Sequence, residues 1–282
     1  MLRIALALTA TLSLWAVAPA MAQDTPDRRP SHCIALVQNT PGLEVIHRAS
    51  LSDPLDNFTV QIGYVDHAML VIRTQGGTTA VTDYAGYLGT ADFVPDVVTM
   101  NKAHSTHWTA NPDPRIPHVL KGWGDDYGQP ANRYLDLGDM VVRTVSTDIR
   151  SMWSDLGEQA NSIFIFEVDG LCIGHLGHLH HEPTAEQYAA IGRLDVVMAP
   201  VDGGYTIPQT TMIEIMQRLR SSIVIPMHWF GRPNLDRFLA GMESDFIIDR
   251  RGESFMEVSL RTLPSSPTVV VLEPAFINGD DD

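Results

Sequence analysis

Apolar residues along this chain fall into short runs separated by polar and glycine-rich segments, a pattern typical of a protein built from many β-strands. Before residue 83 the runs are separated by turns alone. Gly76 and Gly77 lie between two of them, as a hairpin turn requires. The pattern predicts an opening meander, whose strands are residues 34–37, 43–46, 58–62, 69–72 and 79–82.

The rest of the chain adds helices to the strands. Thr184 and Gln187 have the spacing of a capping box, which predicts a helix from residue 184 to 191. Two further helices are predicted, one whose apolar face spans residues 212–219 and one over residues 235–242. The predicted strands are residues 97–100, 118–120, 140–145, 163–168, 171–173, 194–198, 223–225 and 269–272. Strands in this number, with helices to cover them, indicate an α/β fold with two sheets.

The first 22 residues have the features of a secretory signal peptide. Arg3 precedes an apolar run, and Ala20-Met21-Ala22 matches a signal peptidase site. The prediction is a signal peptide at residues 1–22 and a single mature domain at residues 23–282. The mature protein would be periplasmic or secreted, with no stable membrane anchor after cleavage. Cys33 and Cys172 could pair in such a compartment or remain two buried thiols.

The charge of the chain narrows the class of partner. With 34 acidic and 19 basic residues, the formal net charge is −15. Such a surface repels phosphate backbones, so nucleic acid is not an expected partner. The expected partner is a small-molecule substrate. The sequence gives no indication of the oligomeric state.

Candidate chemistry lies in the histidines. Four of the chain's 11 histidines, His175, His178, His180 and His181, fall within seven residues directly after an apolar run. Histidines follow two more apolar runs. His104 and His107 come after one of these runs, and His228 comes after the other. Imidazole is a common zinc ligand, and strands of an α/β sheet deliver side chains to a common edge. The three clusters therefore predict one shared metal site.

Several segments resemble the metallo-β-lactamase superfamily, in its lactonase-like branch that includes L-ascorbate-6-phosphate lactonases. The segments at residues 63–67, 82–83, 95–99, 170–181, 195–201 and 225–228 resemble, in order, the motifs of that family. The resemblance implies a four-layer αβ/βα sandwich with a metal site on one rim. It also implies a metal-dependent hydrolase.

The chain departs from the family's ligand motifs at specific positions. Aligned with the family's His-x-His-x-Asp-His signature, it has Lys102, His104, Thr106 and His107. The family's bridging aspartate is replaced by His178. Lysine has no lone pair to offer a cation while it is protonated, so Lys102 would instead supply fixed positive charge. The resemblance therefore implies one zinc ion rather than two, held by His107, His178 and His228, with iron or manganese left open.

The remaining candidates surround that ligand set. His104 would be a fourth ligand or, with Asp148, part of a weaker second site. Lys102 and Asp148 are the candidate catalytic residues, because no histidine matches the family's mid-chain ligand and Asp148 is the nearest substitute. Asp83, His175 and His181 would support the ligands from behind, with a plain turn role equally open for Asp83. Nearby aromatic residues either line the mouth of the site or pack. They are Trp108, Trp123, Tyr205 and Trp229.

Three functions are consistent with these observations. The first is an exported hydrolase in which metal-activated water attacks an ester, lactone, amide or phosphoester. The second is a periplasmic protein that binds a metal or small molecule without turnover, which the threonine at 106 favours. The third is an iron or copper redox protein, since imidazoles accept those metals as readily as zinc.

Overall fold

The structure is a computed structural model that describes residues 28–34, 54–126, 128–149 and 159–279. The predicted signal peptide, the predicted strand at residues 43–46 and most of the run 34–37 lie outside these ranges. Within them, no helix has both the length and the apolar character that crossing a bilayer requires. The chain divides into a segment from Met1 to Pro30 and a unit from Ser31 to Asp282, and the elements given below belong to the second.

Fourteen strands and three helices occur in the described residues. The strands are β1 Val60–Asp66, β2 Met69–Arg73, β3 Thr79–Val81, β4 Val97–Met100, β5 His118–Lys121, β6 Tyr134–Asp136, β7 Met140–Thr147, β8 Asn161–Val168, β9 Leu171–His175, β10 Val196–Pro200, β11 Ile223–Met227, β12 Ile247–Arg250, β13 Phe255–Val258 and β14 Thr268–Val271. The helices are α1 Ala185–Ile191, α2 Gln209–Leu219 and α3 Arg232–Met242.

The strands form two sheets. The first has six strands in the order β13-β1-β2-β3-β4-β5, and the second has eight in the order β12-β14-β11-β10-β9-β8-β7-β6. In the first sheet β1, β2 and β3 form the antiparallel meander that the sequence predicts, and β4 then pairs parallel to β3. In the second sheet β9, β10 and β11 are parallel neighbours. The carboxyl ends of β1, β3 and β4 therefore lie at one edge of the first sheet, and those of β9, β10 and β11 at one edge of the second.

The two faces of β8 show how the layers are held together. All eight of its residues are buried. Ile163 and Ile165 pack on the side of the helices, whereas Phe164 and Phe166 pack between the two sheets. This alternation follows from the two-residue period of a strand. A strand that is buried on both faces is a continuous apolar run in the sequence, which explains why β8 could be predicted from the sequence.

The helices pack against the eight-stranded sheet. Met212 of α2 and Phe238 of α3 belong to the apolar cluster on its outer face. The capping box predicted at Thr184 is present at the start of α1, with both reciprocal hydrogen bonds formed. Among the described residues, the outer face of the six-stranded sheet is covered by loops that supply Tyr84, Ile116 and others. The α/β sandwich of the metallo-β-lactamase fold predicted from the sequence is confirmed.

A disulfide joins Cys33 to Cys172 in β9, with the two Cα atoms 5.7 Å apart. Of the two alternatives left open by the sequence, pairing is therefore the one present in the structure. The backbone carbonyl of Cys33 also accepts a hydrogen bond from Arg193, at 2.8 Å. The disulfide closes a loop of 139 residues. Native disulfides typically contribute about 2–5 kcal/mol to stability.

Candidate metal centre

Strand ends from both sheets deliver histidines to one place. His67 directly follows β1, His107 lies seven residues beyond the end of β4, and His228 directly follows β11. The backbone N–H of His228 donates to the carbonyl of His67 at 2.8 Å, which joins the two sheets at this edge. His67 and His228 both have positive φ, at 48° and 56°. Non-glycine residues in this conformation cost of order 1–3 kcal/mol and cluster at functional sites.

Four imidazoles form the tightest group. Each offers one ring nitrogen, and these nitrogens all lie within 4.8 Å of one another. The four are His67, His104, His107 and His228. Within this group, the Nε2 atoms of His107 and His228 are 3.1 Å apart. Two ligands of one tetrahedral zinc ion are separated by about 3.3 Å, given Zn–N distances of about 2.0–2.1 Å. The geometry of this pair therefore suits two ligands of a single ion.

Buried carboxylates fix the tautomers of these two rings. The Nδ1 atom of His107 lies 2.5 Å from Oδ2 of Asp83, and that of His228 lies 3.0 Å from Oδ1 of Asp202. Because an ionised carboxylate can only accept, each Nδ1 carries the proton and each Nε2 keeps its lone pair. Both lone pairs then point toward the same space, and a cation placed there would satisfy both.

A shared proton is a poor substitute for that cation. It would turn one of the two rings into a buried imidazolium. Burial, followed by the neighbouring His228 and His104, holds the pKa of His107 well below its ordinary value. Burial and His228 likewise lower the pKa of His67 to about 2. The buried Nε2 atom of His67 has no hydrogen-bond partner in the described structure. The rings of His67 and His107 are therefore held in the neutral form that can bind a metal, as the ligands of a metal site are expected to be.

Asp83 and Asp202 are held by further hydrogen bonds. The second oxygen of Asp83 accepts from Nδ2 of Asn101 at 2.8 Å, and burial raises the pKa of this carboxyl to about 6. Asp202 accepts from His228, from the hydroxyl of Thr206 and from three backbone N–H groups of residues 204–206. Burial alone would raise the pKa of Asp202, but these hydrogen bonds hold it well below its ordinary value.

His178 lies beside the group of four rather than within it. The centre of its ring is 4.8 Å from that of His107 and 5.0 Å from those of His104 and His228. Its Nδ1 atom is 2.6 Å from Nε2 of His180. Its own Nε2 atom is buried, and the part of the chain that the structure describes offers it no hydrogen-bond partner. Burial, followed by His107 and His228, keeps the pKa of His178 far below its ordinary value. The predicted ligand set of His107, His178 and His228 stays a prediction, and the structure adds His67 to the candidates.

The other predicted residues are placed as follows. The ring of His104 belongs to the group, with Nδ1 2.8 Å from the hydroxyl of Thr106. Lys102 and Asp148 are both exposed. Asp148 accepts from the backbone N–H of Gln159, and the structure brings neither of these residues into the group of four.

Of the two remaining histidines, one is buried and one is at the surface. Nε2 of His175 lies 2.9 Å from the carbonyl of Ala68, and its Nδ1 accepts from Gly177, so the ring supports the turn that carries His67. His181 is exposed.

Three residues of this centre had no individual role predicted from the sequence. His67 lies in the segment that resembles the family's opening hairpin, and its place after a buried strand is the signal that could have identified it. Asp202 follows β10, so the rule that strand ends carry the site applies to it as well. His180 belongs to the histidine cluster, but its contact with His178 depends on a local turn that the spacing does not reveal.

Comparisons with known proteins agree with the fold. Residues 61–228 match the family described as "Beta-lactamase superfamily domain". A UPF0173 protein of Pyrococcus abyssi is 20% identical over 184 residues, which is 60% of this chain and 83% of the relative.

Solved structures agree as well. A proposed zinc-dependent hydrolase of the metallo-beta-lactamase superfamily from Thermotoga maritima has a TM-score of 0.54 and 26% identity, covering 76% of this chain and 99% of that one. A proposed metal-dependent hydrolase from Parabacteroides distasonis has a TM-score of 0.51 and 15% identity, covering 65% and 88% of the two chains. Since the family match extends over more than half of the sequence, this chain belongs to the beta-lactamase superfamily and has the metallo-β-lactamase fold.

Proposed function

We propose that this protein is an exported metal-dependent hydrolase that holds one divalent ion, zinc in the simplest case, and acts on a small ester, lactone, amide or phosphoester. The observation that carries the proposal is the pair of facing Nε2 atoms of His107 and His228, 3.1 Å apart and each oriented by a buried carboxylate. Membership of the superfamily and the likeness to the Thermotoga maritima protein support the same class of reaction.

His107 and His228 would hold the ion, with His67 and His104 available to complete the set. When bound, such an ion acts as a Lewis acid that makes a water molecule easier to deprotonate and polarises an oxygen of the scissile group. The protein's own contribution is orientation. Asp83 and Asp202 keep Nε2 of each ring unprotonated and aimed, and together they provide two negative charges that offset a divalent cation.

Export is the second part of the proposal. The signal peptide predicted at residues 1–22 suggests a periplasmic or secreted protein, and the Cys33–Cys172 disulfide supports it because such bonds persist in oxidising compartments. We expect thiol alkylation of the protein taken from its native cell fraction to label neither cysteine until a reductant is added. Full labelling without a reductant would contradict export to an oxidising compartment.

Two other functions stay in contention on specific observations. The group of four contains imidazoles and no carboxylate, and imidazoles bind iron and copper as well as zinc, which favours a redox protein. Thr106, at the position of the family's aspartate, is exposed and contacts His104 instead of entering the group, which favours a binder without turnover.

One experiment separates the three functions. Protein purified without added metal is analysed for its elements and then assayed on carboxylic ester, lactone, amide and phosphodiester substrates, with and without a chelator. We expect about one zinc per chain and turnover that the chelator abolishes and zinc restores. Iron or copper with visible absorbance would favour the redox protein, and bound metal without turnover would favour the binder.

A matched variant makes the metal analysis specific. His118 starts β5, at the opposite end of the strands from the histidine group. His118→Ala should therefore keep the full metal content, whereas His228→Ala should lose it. Equal metal content in the two variants would overturn the proposed site.

A further inference from the structure

A pair of exposed aromatic rings adjoins the histidine group through one of its two members. Phe230 is 58% exposed and Tyr205 is 69% exposed, although both are large and apolar. Their ring centres are 5.3 Å apart in an edge-to-face arrangement. The ring of Phe230 also lies 5.0 Å from that of His67 and 4.9 Å from that of His228. We call Tyr205 and Phe230 the aromatic lip, in which Phe230 contacts the imidazoles and Tyr205 contacts Phe230.

The location of Phe230, rather than its exposure, distinguishes it. Phe58 is a close match, with 61% exposure and a φ of 62°, against 58% and 52° for Phe230. Phe58 precedes β1, however, whereas His67 follows that strand, so the two phenylalanines belong to opposite ends of the sheets. The two phenylalanines are therefore similar in exposure and in φ, and they differ in that only Phe230 contacts the histidine rings.

The lip is fixed to the same carboxylate that orients a candidate ligand. Asp202 accepts from the backbone N–H of Tyr205 at 2.6 Å and from those of Gly204 and Thr206, while its other oxygen lies 3.0 Å from Nδ1 of His228. Phe230 is two residues beyond His228 in the chain. Both halves of the lip are thus positioned by the elements that position His228, so a molecule bound at His228 would meet the lip.

The charges beside the lip narrow the kind of group that it accepts. The nearest cation along the chain, Arg232, is paired with Glu273 and lies 5.4 Å over the ring of Trp229. The lip itself consists of two rings that offer apolar faces and one hydroxyl. Aromatic faces gain most from apolar or aromatic groups, in offset or edge-to-face contact. A phosphate or carboxylate stacked on these two rings would lose hydration, and the rings themselves supply no cation to offset that loss.

The geometry points to a substrate-specificity role for the lip: it binds an uncharged apolar group, aryl or acyl, attached next to the scissile bond. This inference rests on the proposed hydrolase function and narrows it. Esters, lactones or amides with an apolar side group become the expected substrates, and phosphorylated sugars become unfavourable ones.

The first test compares two substrates that differ only in the apolar group. Hydrolysis of ethyl phenylacetate and ethyl acetate is followed by acid release in wild type, Phe230→Ala and Phe58→Ala. We expect wild type to prefer the phenylacetate in kcat/KM by about tenfold or more. Phe230→Ala should lose about tenfold on the phenylacetate and less than about threefold on the acetate. Phe58→Ala should behave as wild type on both, and Tyr205→Ala should shift the preference in the same direction as Phe230→Ala.

The second test uses binding alone, so that it does not depend on turnover. The affinities of phenylacetamide and acetamide, both neutral, are measured by calorimetry on zinc-loaded and zinc-free protein. We expect phenylacetamide to bind at least about tenfold more tightly, and Phe230→Ala to remove most of that difference while leaving the bound zinc and the melting temperature unchanged.

The two tests separate the failure of the lip from the failure of the hydrolase. Chelator-sensitive hydrolysis without a preference for the phenylacetate would overturn the lip and leave the hydrolase intact. Absence of hydrolysis, with phenylacetamide binding that Phe230→Ala weakens, would overturn the hydrolase and leave the lip as a binding site. Equal affinity for both amides in wild type would overturn the lip in either case.

Discussion

The two sides of the histidine group are supported in different ways. On one side, His107 and His228 each donate from Nδ1 to a buried carboxylate, Asp83 or Asp202. On the other side, Nδ1 of His178 faces another imidazole, that of His180, at 2.6 Å. A carboxylate fixes the tautomer of its partner and adds negative charge, whereas a neutral imidazole pair can place its shared proton on either ring.

The difference indicates where a cation would be most stable. Two carboxylates contact the group through His107 and His228, so a divalent ion between these rings would have its charge offset nearby. An ion beside His178 would find a neutral pair of rings instead. The loss of the family's bridging aspartate at position 178 therefore changes charge as well as ligand identity. This asymmetry favours one strongly held ion over two.

Removing a ring from the carboxylate-supported side should have the largest effect. We expect His107→Ala to weaken zinc binding by more than about 100-fold, because it deletes a preoriented donor and leaves Asp83 buried without its partner. Competition with a chromophoric chelator measures the affinity. His118→Ala is the control, and it should bind zinc as wild type does. A His107→Ala protein with wild-type affinity would remove the basis of the comparison.

Removing the charge of a supporting carboxylate should have the next largest effect. Asp202→Asn keeps the size of the side chain, but it can no longer offset the cation or enforce the Nδ1–H tautomer of His228. We expect a loss of about 10–100-fold in zinc affinity, measured by the same competition.

The matched control for Asp202→Asn lies at the other end of β10. Asp195 is also a buried carboxylate, and it accepts from the backbone N–H of Cys172 at 2.8 Å, away from the histidines. Asp195→Asn should lower the melting temperature without changing zinc affinity. An equal loss of zinc affinity in both variants would mean that Asp202 acts through general stability and not through His228.

On the imidazole-supported side, His178→Ala should have a modest effect. We expect less than about fivefold loss of zinc affinity and an unchanged stoichiometry of one ion, because the ring stands beside the group of four. Elemental analysis and chelator competition check both quantities. A loss comparable to that of His107→Ala would make His178 a ligand, as the sequence-based ligand set has it.

The converse substitution tests the role of charge on that side. His178→Asp returns a carboxylate to the position where the family has one, and the ring that it replaces lies 5.0 Å from that of His104 and 4.8 Å from that of His107. We expect this variant to bind more than one zinc ion per chain at saturating metal. An unchanged stoichiometry would show that geometry, rather than charge, limits the site to one ion.

Local patterns were sufficient to predict most of the fold. Buried runs such as β8 and the capping box at Thr184 are properties of neighbouring residues, so the sequence contains them directly. The strands that were not predicted are β6, β12 and β13, which have few fully buried residues. Each lies at the edge of its sheet, where a strand has only one neighbour and fewer of its side chains are buried, so its own apolar pattern is weak.

The site was predicted less completely, because it depends on contacts between residues that are far apart in the chain. The clusters after β4, β9 and β11 located the rim, and three of the four grouped histidines were among the candidates. His67 is 161 positions from His228, yet their ring centres are 4.0 Å apart, and only the pairing of strands reveals that contact. Lys102 and Asp148 were chosen by alignment with a motif. Alignment gives the place of a residue in the chain but not the direction of its side chain.

The smallest effect is expected at His180, and it tests the comparison most finely. His180→Gln keeps a polar group that can hydrogen-bond to Nδ1 of His178, so the ring of His178 should stay in place. If His178 and His180 contribute little to zinc binding, the zinc affinity of this variant should differ from that of wild type by less than about twofold. Chelator competition has the necessary precision when wild type and variant are measured side by side. A loss of tenfold would match the effect expected of a residue that orients a ligand. It would mean that His178 binds the ion and that His180 supports it as Asp83 and Asp202 support their partners, so that the two sides of the group would be equivalent.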